Sequence, residues 1–341
     1  MSDRVVRIAV VGAGVSGLSV VYCLLRELPL VGIKCNITII ANKILDDTLS
    51  VGAAGIFRQD PDIGVNPETN DKWARLTFDH FSCIARSPDA RDAGVFFITG
   101  LDVSSQPEFR LDHIKKLSND FRPLTPDQIS AVLPAKFKYG YQYTTIISDP
   151  AFYLKWLLSQ ALEKCDLVIR TISSLENDES LSGYDVIVNC SGFGARDIAN
   201  DHSLVAIRGQ TIRVKAPWVK IFTSADGAYI YPMADGHVTL GGIKQLGNEN
   251  RHVNQDDKDW IWNRCTEMQP SLKGCPVIRD WVGLRPFRPS IRVETEVLPN
   301  GRVIVHNYGH GGNGYTYSYG TAMEAAALVI TALQPKLKSK M

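Results

Sequence analysis

The sequence predicts an α/β fold in which a parallel-sheet nucleotide-binding domain is interleaved with a second α+β domain whose sheet is largely antiparallel. Three observations support this. Near the N-terminus, "RIAVVGAGVSGLSVVYCLLREL" is an apolar run, a glycine turn and an apolar-periodic segment. The same order of apolar run, glycine-rich turn and apolar-periodic segment recurs near the C-terminus, in "GRVIVHNYGHGGNGYTYSYGTAMEAAALVITALQ". Between them, residues 57–147 are charged and irregular, whereas 207–296 alternate apolar and polar residues.

Each element of the nucleotide-binding part follows from local residue patterns. "VVRIAVV" predicts a strand, and the periodic segment after the glycines predicts a helix to about Leu28. "CNITIIANK" predicts the second strand of a βαβ unit, and "GYDVIVNCSGFGAR" predicts a later buried strand ending in a glycine turn. The C-terminal segment predicts a strand, a glycine-rich turn and a long helix beginning near Gly320.

These elements predict two discontinuous domains. Residues 1–56, 148–200 and 297–341 form the nucleotide-binding domain, and residues 57–147 and 201–296 form the substrate-binding domain.

Composition narrows the class of partner. The 341 residues include 37 Lys and Arg against 36 Asp and Glu, and no long basic run occurs, so neither a nucleic acid nor a membrane surface is an expected partner. The seven cysteines form no CxxC pair and are odd in number, which predicts reduced structural thiols inside a cell rather than a secreted disulfide framework. No histidine or cysteine cluster in the sequence resembles a metal site. The expected partner is a small molecule, and the oligomeric state is left open.

The C-terminal tripeptide Ser339-Lys340-Met341 differs by one residue from the S-K-L peroxisomal address. It predicts a peroxisomal protein. A frayed basic tail on a cytoplasmic protein is the alternative.

The motif "GAGVSG" predicts dinucleotide binding. Gly12 permits the tight turn, Gly14 lets the backbone approach a pyrophosphate, and Gly17 lets the helix pack on the strand. The second strand ends in Asn42 and Lys43 rather than in the acid that usually binds ribose hydroxyls. The absence of that acid weakens the case for NAD without excluding an NAD-dependent dehydrogenase.

The run "IVHNYGHGGNGYTYSYGTA", from Ile304 to Ala322, resembles the signature of the D-amino-acid oxidase family. The segments "VGAGVSGLS", "DVIVNCSG", "RGQTIRVKAPW", "YIYP", "HVTLGGIKQLGN" and "VGLRPFRPSIRVE" resemble the same family in the same order. The resemblance implies an FAD enzyme that transfers a hydride from the α-carbon of a D-amino acid to flavin N5 and passes the electrons to O2. The products would be a 2-oxo acid, ammonia and hydrogen peroxide.

The resemblance also implies the site residues. Arg285 would bind the substrate carboxylate, Tyr229 would add its hydroxyl, and the Gly312 carbonyl would receive the amine. No side chain is implied as a catalytic acid or base. The implied FAD-binding residues are Gly12, Ala13, Gly14, Ser16, Gly17, Asn42, Lys43, Thr48, Ser50, Ala54, Gly55, Ile172, Ser191, Gly311, Gly312, Asn313, Gly314, Tyr315 and Thr316.

The short segment before "YIYP" lacks the second tyrosine of the neutral-substrate branch, so the chain is most like the acidic-substrate branch, the D-aspartate oxidases. A second substrate carboxylate requires a basic partner, for which Arg58 and Lys244 are the candidates. Arg58 could instead pair with Asp60 or Asp62, and Lys244 could be solvated. We therefore predict an oxidase for D-aspartate, D-glutamate or N-methyl-D-aspartate. The alternatives are an oxidase for neutral or basic D-amino acids and a non-catalytic flavin-binding protein.

Overall fold

The computed structural model describes residues 5–109 and 111–338. The strands in this part are β1 Val6–Val11, β2 Cys35–Ala41, β3 Val95–Ser104, β4 Asn119–Pro123, β5 Tyr139–Ser148, β6 Asp166–Ile169, β7 Val186–Asn189, β8 Val205–Lys215, β9 Phe222–Ala225, β10 Ala228–Pro232, β11 His237–Gly241, β12 Gln245–Leu246, β13 Val277–Val297 and β14 Val303–His310.

The α-helices in the same part are α1 Val15–Leu30, α2 Pro67–Ala85, α3 Ala90–Ala93, α4 Asp112–Lys115, α5 Pro126–Ser130, α6 Pro150–Leu162, α7 Ala195–Ile198, α8 Gln255–Met268 and α9 Gly314–Lys338. Short 3-10 turns occur at Leu49–Gly52, Gly192–Gly194 and Gly311–Asn313, among other places.

The strands join in the order β4-β5-β3-β9-β10-β11-β8-β13-β14-β7-β1-β2-β6, with β12 paired to β8. The run from β14 to β6 is parallel. The rest is antiparallel except for the β3–β9 pair. The long strand β13 belongs to both regions, because residues up to Phe287 pair with β8 and residues from Arg292 pair with β14. The predicted α/β fold class is confirmed.

The parallel region is buried on both faces, as its β-branched composition predicts. Along β1, Ile8 and Val10 join one apolar cluster, and Ala9 and Val11 join the cluster on the opposite face. Helix α1 packs against both α6 and α9 on the first face. This arrangement leaves the carboxyl ends of β1, β2, β7 and β14 at one edge, where ligands of such sheets bind.

The C-terminal helix begins at Gly314, so the prediction that it begins near Gly320 was wrong. Gly320 lies inside α9, where its backbone N–H donates to the Thr77 hydroxyl of α2 at 2.9 Å. A Cβ atom at Gly320 would lie 2.1 Å from the Trp73 carbonyl oxygen. The glycine therefore permits close helix packing rather than a turn. Because α9 begins at Gly314, residues 314–316 form the start of the helix.

The predicted peroxisomal tripeptide Ser339-Lys340-Met341 lies outside the described residues. Within those residues, none of the helices combines the length and the apolar character needed to cross a bilayer.

Candidate functional site

A cavity of about 1230 Å³ extends from the carboxyl ends of the parallel strands into the antiparallel region. Its wall includes residues 12–16 after β1, 41–43 after β2, 190–194 after β7 and 309–316 at the end of β14. Tyr229, Lys244 and Arg285 line it from the other side. With the exception of Gly17, every site residue predicted from the sequence lines this one cavity.

Gly17 instead lies beneath the turn. A Cβ atom at Gly17 would be 1.9 Å from the Gly12 carbonyl oxygen, so only glycine lets α1 start this close to β1. Gly12 has a positive φ of 111°, a conformation that glycine adopts readily.

The N-terminus of α1 opens into the cavity without a negative group of its own. Gly14 is the N-cap, no side chain caps it, and the first turn contains no acidic residue. The Ser50 hydroxyl oxygen accepts a hydrogen bond from the Val15 N–H at 3.0 Å. The other N–H groups of this turn suit a phosphate, because the helix dipole stabilises negative charge there.

Two of the predicted FAD-binding side chains form hydrogen bonds within the protein. The Thr48 hydroxyl donates to the Leu45 carbonyl at 2.6 Å, and the Ser191 hydroxyl donates to Asn189 at 2.7 Å. Both hydroxyl oxygens can still accept a hydrogen bond. Asn42 and Lys43 line the wall after β2, and Ile172 lines it as well.

Arg285 of β13 projects over Gly209 of the neighbouring strand. A Cβ atom at Gly209 would lie 2.3 Å from Arg285 Nη2, so the glycine provides the space for the guanidinium. Arg285 Nη1 donates to the Ile243 carbonyl at 3.0 Å. Over residues 5–109 and 111–338, no carboxylate pairs with Arg285. Its other N–H donors are therefore available to a ligand.

Tyr229 of β10 is positioned in the same way. It pairs across the sheet with Gly241, and a Cβ atom there would lie 2.4 Å from the Tyr229 hydroxyl. The ring stacks on Tyr231 with centroids 4.3 Å apart. Burial raises the pKa of Tyr229, although Arg285 opposes the shift. The neutral hydroxyl makes no hydrogen bond to another described residue and can donate to a ligand.

Gly312 lies in the 3-10 turn between β14 and α9. It is close to Arg285, because a Cβ atom added at Gly312 would lie 3.7 Å from Arg285 Cδ. Neighbouring side chains tie the turn to residues 50–60. The Tyr315 hydroxyl donates to the Ser50 carbonyl at 3.2 Å, and the Asn313 amide donates to Asp60 at 3.0 Å. Thr316 donates to the Arg58 carbonyl at 3.3 Å.

Arg58 pairs with a carboxylate that the sequence did not suggest. Its Nη2 lies 3.0 Å from Asp102 Oδ2, whereas neither Asp60 nor Asp62 forms an ion pair with it. Asp102 belongs to β3, is 3% exposed and also accepts a hydrogen bond from Tyr143 at 3.4 Å. Burial tends to lower the pKa of Arg58, but the Asp102 carboxylate offsets this and the net shift is upward.

Lys244 lies on the segment after β11, where it is exposed and also lines the cavity. In the described part of the chain it forms no ion pair. Desolvation by the cavity wall, together with positive Arg285 and Arg58, lowers its pKa, and the Asp60 carboxylate opposes the shift. A carboxylate ligand would offset that unfavourable environment.

The two histidines of the C-terminal motif are bonded within the protein. His306 contacts Glu296 through Nε2 at 2.9 Å, and His310 contacts the Thr321 hydroxyl at 3.0 Å. Burial lowers the pKa of each to about 4, so both are neutral at physiological pH. Within residues 5–109 and 111–338, no three His, Cys, Asp or Glu side chains are placed to hold a metal ion.

Sequence reasoning missed Asp102, Gly209 and Gly241. A glycine within an alternating strand can indicate the close approach of another group, so "RGQ" and "LGG" carried a usable signal. No local pattern identifies Asp102, because its ion-pair partner Arg58 is remote in the chain and only the folded structure brings the two together.

The family model for the FAD dependent oxidoreductases matches residues 7–328. The chain belongs to this family. The predicted family, the enzyme class and the cofactor FAD are thereby confirmed, and the NAD-dependent alternative is set aside.

Among its curated relatives, a D-aspartate oxidase of Homo sapiens is 38% identical over 95% of this chain and 94% of its own. A D-amino-acid oxidase of Rubrobacter xylanophilus is 35% identical over 98% of this chain and 99% of its own. Among solved structures, a glycine oxidase from Bacillus cereus superposes with a TM-score of 0.77 at 18% identity, covering 96% of this chain and 95% of that one. That likeness shows the shared fold.

The cavity suits FAD on physical grounds. Its volume of about 1230 Å³ exceeds the roughly 300–1,000 Å³ of ordinary small-molecule sites, so a dinucleotide and a small substrate can share it. The uncapped N-terminus of α1 and the bare Gly12 turn fit a pyrophosphate. Asn42 and Lys43 offer hydrogen bonds to a ribose, and Ile172 offers an apolar contact to a base.

Proposed function

We propose that this enzyme oxidatively deaminates acidic D-amino acids, with D-aspartate as the preferred substrate and D-glutamate or N-methyl-D-aspartate as further ones. The products would be a 2-oxo acid, ammonia (methylamine from N-methyl-D-aspartate) and hydrogen peroxide. The observation that carries the proposal is that two cations without a carboxylate partner, Arg285 and Lys244, line one cavity beside Tyr229. Two cations match the two carboxylates of an acidic amino acid.

In this proposal the chain binds and orients the reacting amino acid. Arg285 binds the α-carboxylate through two N–H groups, and the Tyr229 hydroxyl donates to the same carboxylate. The Gly312 carbonyl accepts from the amine, on the 3-10 turn between β14 and α9. Bound FAD supplies the acceptor for the hydride of the α-carbon.

Positioning then supplies much of the rate enhancement. Fixing the α-carbon between the carboxylate contacts and the amine contact removes the entropy of orientation from the reaction step. The buried histidines are neutral and already bonded, so the proposal assigns neither of them as an acid or base.

The substrate side chain is proposed to extend toward Lys244 and Arg58. Lys244 supplies a positive charge that forms no ion pair with a carboxylate of the described residues, and Asp60 acts on it only as a more distant charge. Arg58 shares its charge with Asp102, and its remaining N–H groups can donate to the same carboxylate. The D-aspartate oxidase at 38% identity supports the acidic preference.

An oxidase for neutral D-amino acids is the second candidate. The relative from Rubrobacter xylanophilus, named D-amino-acid oxidase, favours it. The Arg58–Asp102 pair favours it as well, because it reduces the positive charge offered to a substrate side chain.

A peroxide-coupled screen of D- and L-amino acids with added FAD tests these candidates. We expect turnover of D-aspartate at low concentration, much weaker turnover of D-alanine and D-methionine, and none of the L-forms. Equal efficiency on D-alanine and D-aspartate would reject the acidic preference. A flavin-containing protein that produces no peroxide with any D-amino acid would instead be a non-catalytic binding protein.

The selectivity should also depend on pH. The lowered pKa of Lys244 means that its charge is lost at a lower pH than that of an ordinary lysine. The acidic preference should therefore be present at neutral pH and decline as pH rises through this lowered pKa. The measurement is kcat/KM against pH for D-aspartate and D-alanine, because their ratio cancels the titration that both substrates share. A ratio that stays constant up to the range of an ordinary lysine would contradict the assignment.

A further inference from the structure

Asp102 is a buried carboxylate in the wall of the cavity. Its side chain is 4% exposed, whereas that of its partner Arg58 is 37% exposed. The carboxylate is therefore the more deeply buried member of the pair. Tyr143 supplies a further hydrogen bond to Asp102 from the adjacent strand β5.

The substrate end of the cavity contains more cations than ion pairs. Arg285 and Lys244 lack a carboxylate partner within the described residues, whereas Arg58 has Asp102. Other carboxylates of the wall accept hydrogen bonds of their own. Asp60 accepts from the Asn313 amide and acts on Arg58 and Lys244 as a charge without forming an ion pair with either. Asp226 accepts from the hydroxyls of Ser104 and Ser105. Asp102 is thus the carboxylate that forms an ion pair with one of the three cations.

We propose that Asp102 is a specificity-determining residue that offsets the charge of Arg58 and so leaves two cations without an ion-pair partner for the two carboxylates of an acidic substrate. This inference rests on the proposed function. Asp102 does not touch the reacting atoms, and it acts through Arg58. Its carboxylate limits how strongly the cavity holds a dianion, including the dianionic product that must leave.

Asp102→Asn isolates this effect, because asparagine keeps the shape and can still accept from Arg58. The variant exposes a third uncompensated cation to the ligand. We expect affinity for a dicarboxylate to rise on the order of fivefold, since a nearby unit charge in a partly buried site is only partly screened. Affinity for a monocarboxylate of the same size class should change by less than about twofold.

The experiment titrates the FAD-loaded enzyme with succinate and with propionate by calorimetry. Succinate is aspartate without its amine, and propionate is alanine without its amine, so neither can be oxidised as an amino acid. Asp62→Asn is the matched control, because it removes an exposed carboxylate near the same segment. The double variant Arg58→Gln with Asp102→Asn restores the net charge, and we expect its succinate affinity to return to within about threefold of the original. Flavin absorbance and thermal unfolding verify that each protein is loaded and folded.

Tighter succinate binding in Asp102→Asn, with propionate unchanged, supports the inference. Unchanged or weaker succinate binding, or an equal gain for propionate, would overturn it.

If Asp102→Asn does not retain FAD, the variant Arg58→Gln provides the test. It leaves Asp102 unpaired and should weaken succinate binding on the order of fivefold. Unchanged succinate binding in this variant would reject the inference. The peroxide screen is separate, so an inactive enzyme that still shows the succinate effect would refute only the proposed function.

Discussion

Arg285→Gln should lower kcat/KM for every D-amino acid by on the order of 10²–10³-fold. Removing one partner of a buried ion pair costs about 3–5 kcal/mol, because the remaining charge is left unpaired. The site is shaped for this guanidinium: Gly209 leaves room beneath it, and the Ile243 carbonyl orients one of its nitrogens at 3.0 Å. Steady-state peroxide production with D-aspartate and D-alanine measures the loss.

Two companion variants show whether the effect belongs to carboxylate binding. Arg285→Lys keeps the charge but has no planar pair of donors, so we expect an intermediate loss that appears largely in KM. Arg279→Gln removes an exposed arginine from the same strand and should leave the kinetics unchanged. The flavin content of all three must match. If Arg285→Gln retains FAD and full activity, the assignment of the α-carboxylate site is wrong.

Lys244→Met should lower kcat/KM for D-aspartate by on the order of 10²-fold and leave D-alanine within about threefold. Methionine keeps much of the length of the lysine side chain but leaves the distal carboxylate facing Arg58, whose charge Asp102 already offsets. A carboxylate bound without a compensating cation is strongly disfavoured. The selectivity between the two substrates should therefore invert. The measurement is the full kinetic profile of each substrate.

Lys220→Met provides the control, since this lysine is exposed and lies outside the cavity wall. It should not alter the ratio between the substrates. A parallel fall for D-aspartate and D-alanine in Lys244→Met would mean that Lys244 supports the site as a whole. In that case the acidic preference would have to come from Arg58.

The cofactor end of the cavity was largely predictable from sequence. "GAGVSG" specifies a turn, because Gly12 needs a positive φ and Gly17 must contact the Gly12 carbonyl. These are interactions among residues only a few positions apart, so a short motif contains them. The position of Gly320 was misjudged for the opposite reason: the constraint on it comes from the Trp73 carbonyl of a distant helix.

At the substrate end of the cavity, the sequence predicted the cations but not which of them forms an ion pair with a protein carboxylate. Arg285, Lys244 and Arg58 were each identified from local segments. The contacts of two of them depend on strand neighbours: β5 pairs with β3 and bridges to Ile56, which brings Asp102 to Arg58, and β8 pairs with β13, which places Gly209 beneath Arg285. Each of these contacts joins residues that are many positions apart in the chain.

The sequence by itself determined the α/β class, the family, FAD and the set of residues from which the cavity is built. Those features depend on short-range backbone requirements and on local patterns of apolar residues. Only the tertiary structure decided which cations remain available to a ligand, because a charge is offset by whatever carboxylate the fold brings within a few ångströms. For this protein that carboxylate is Asp102 beside Arg58, and Arg285 and Lys244 are the cations left for a substrate.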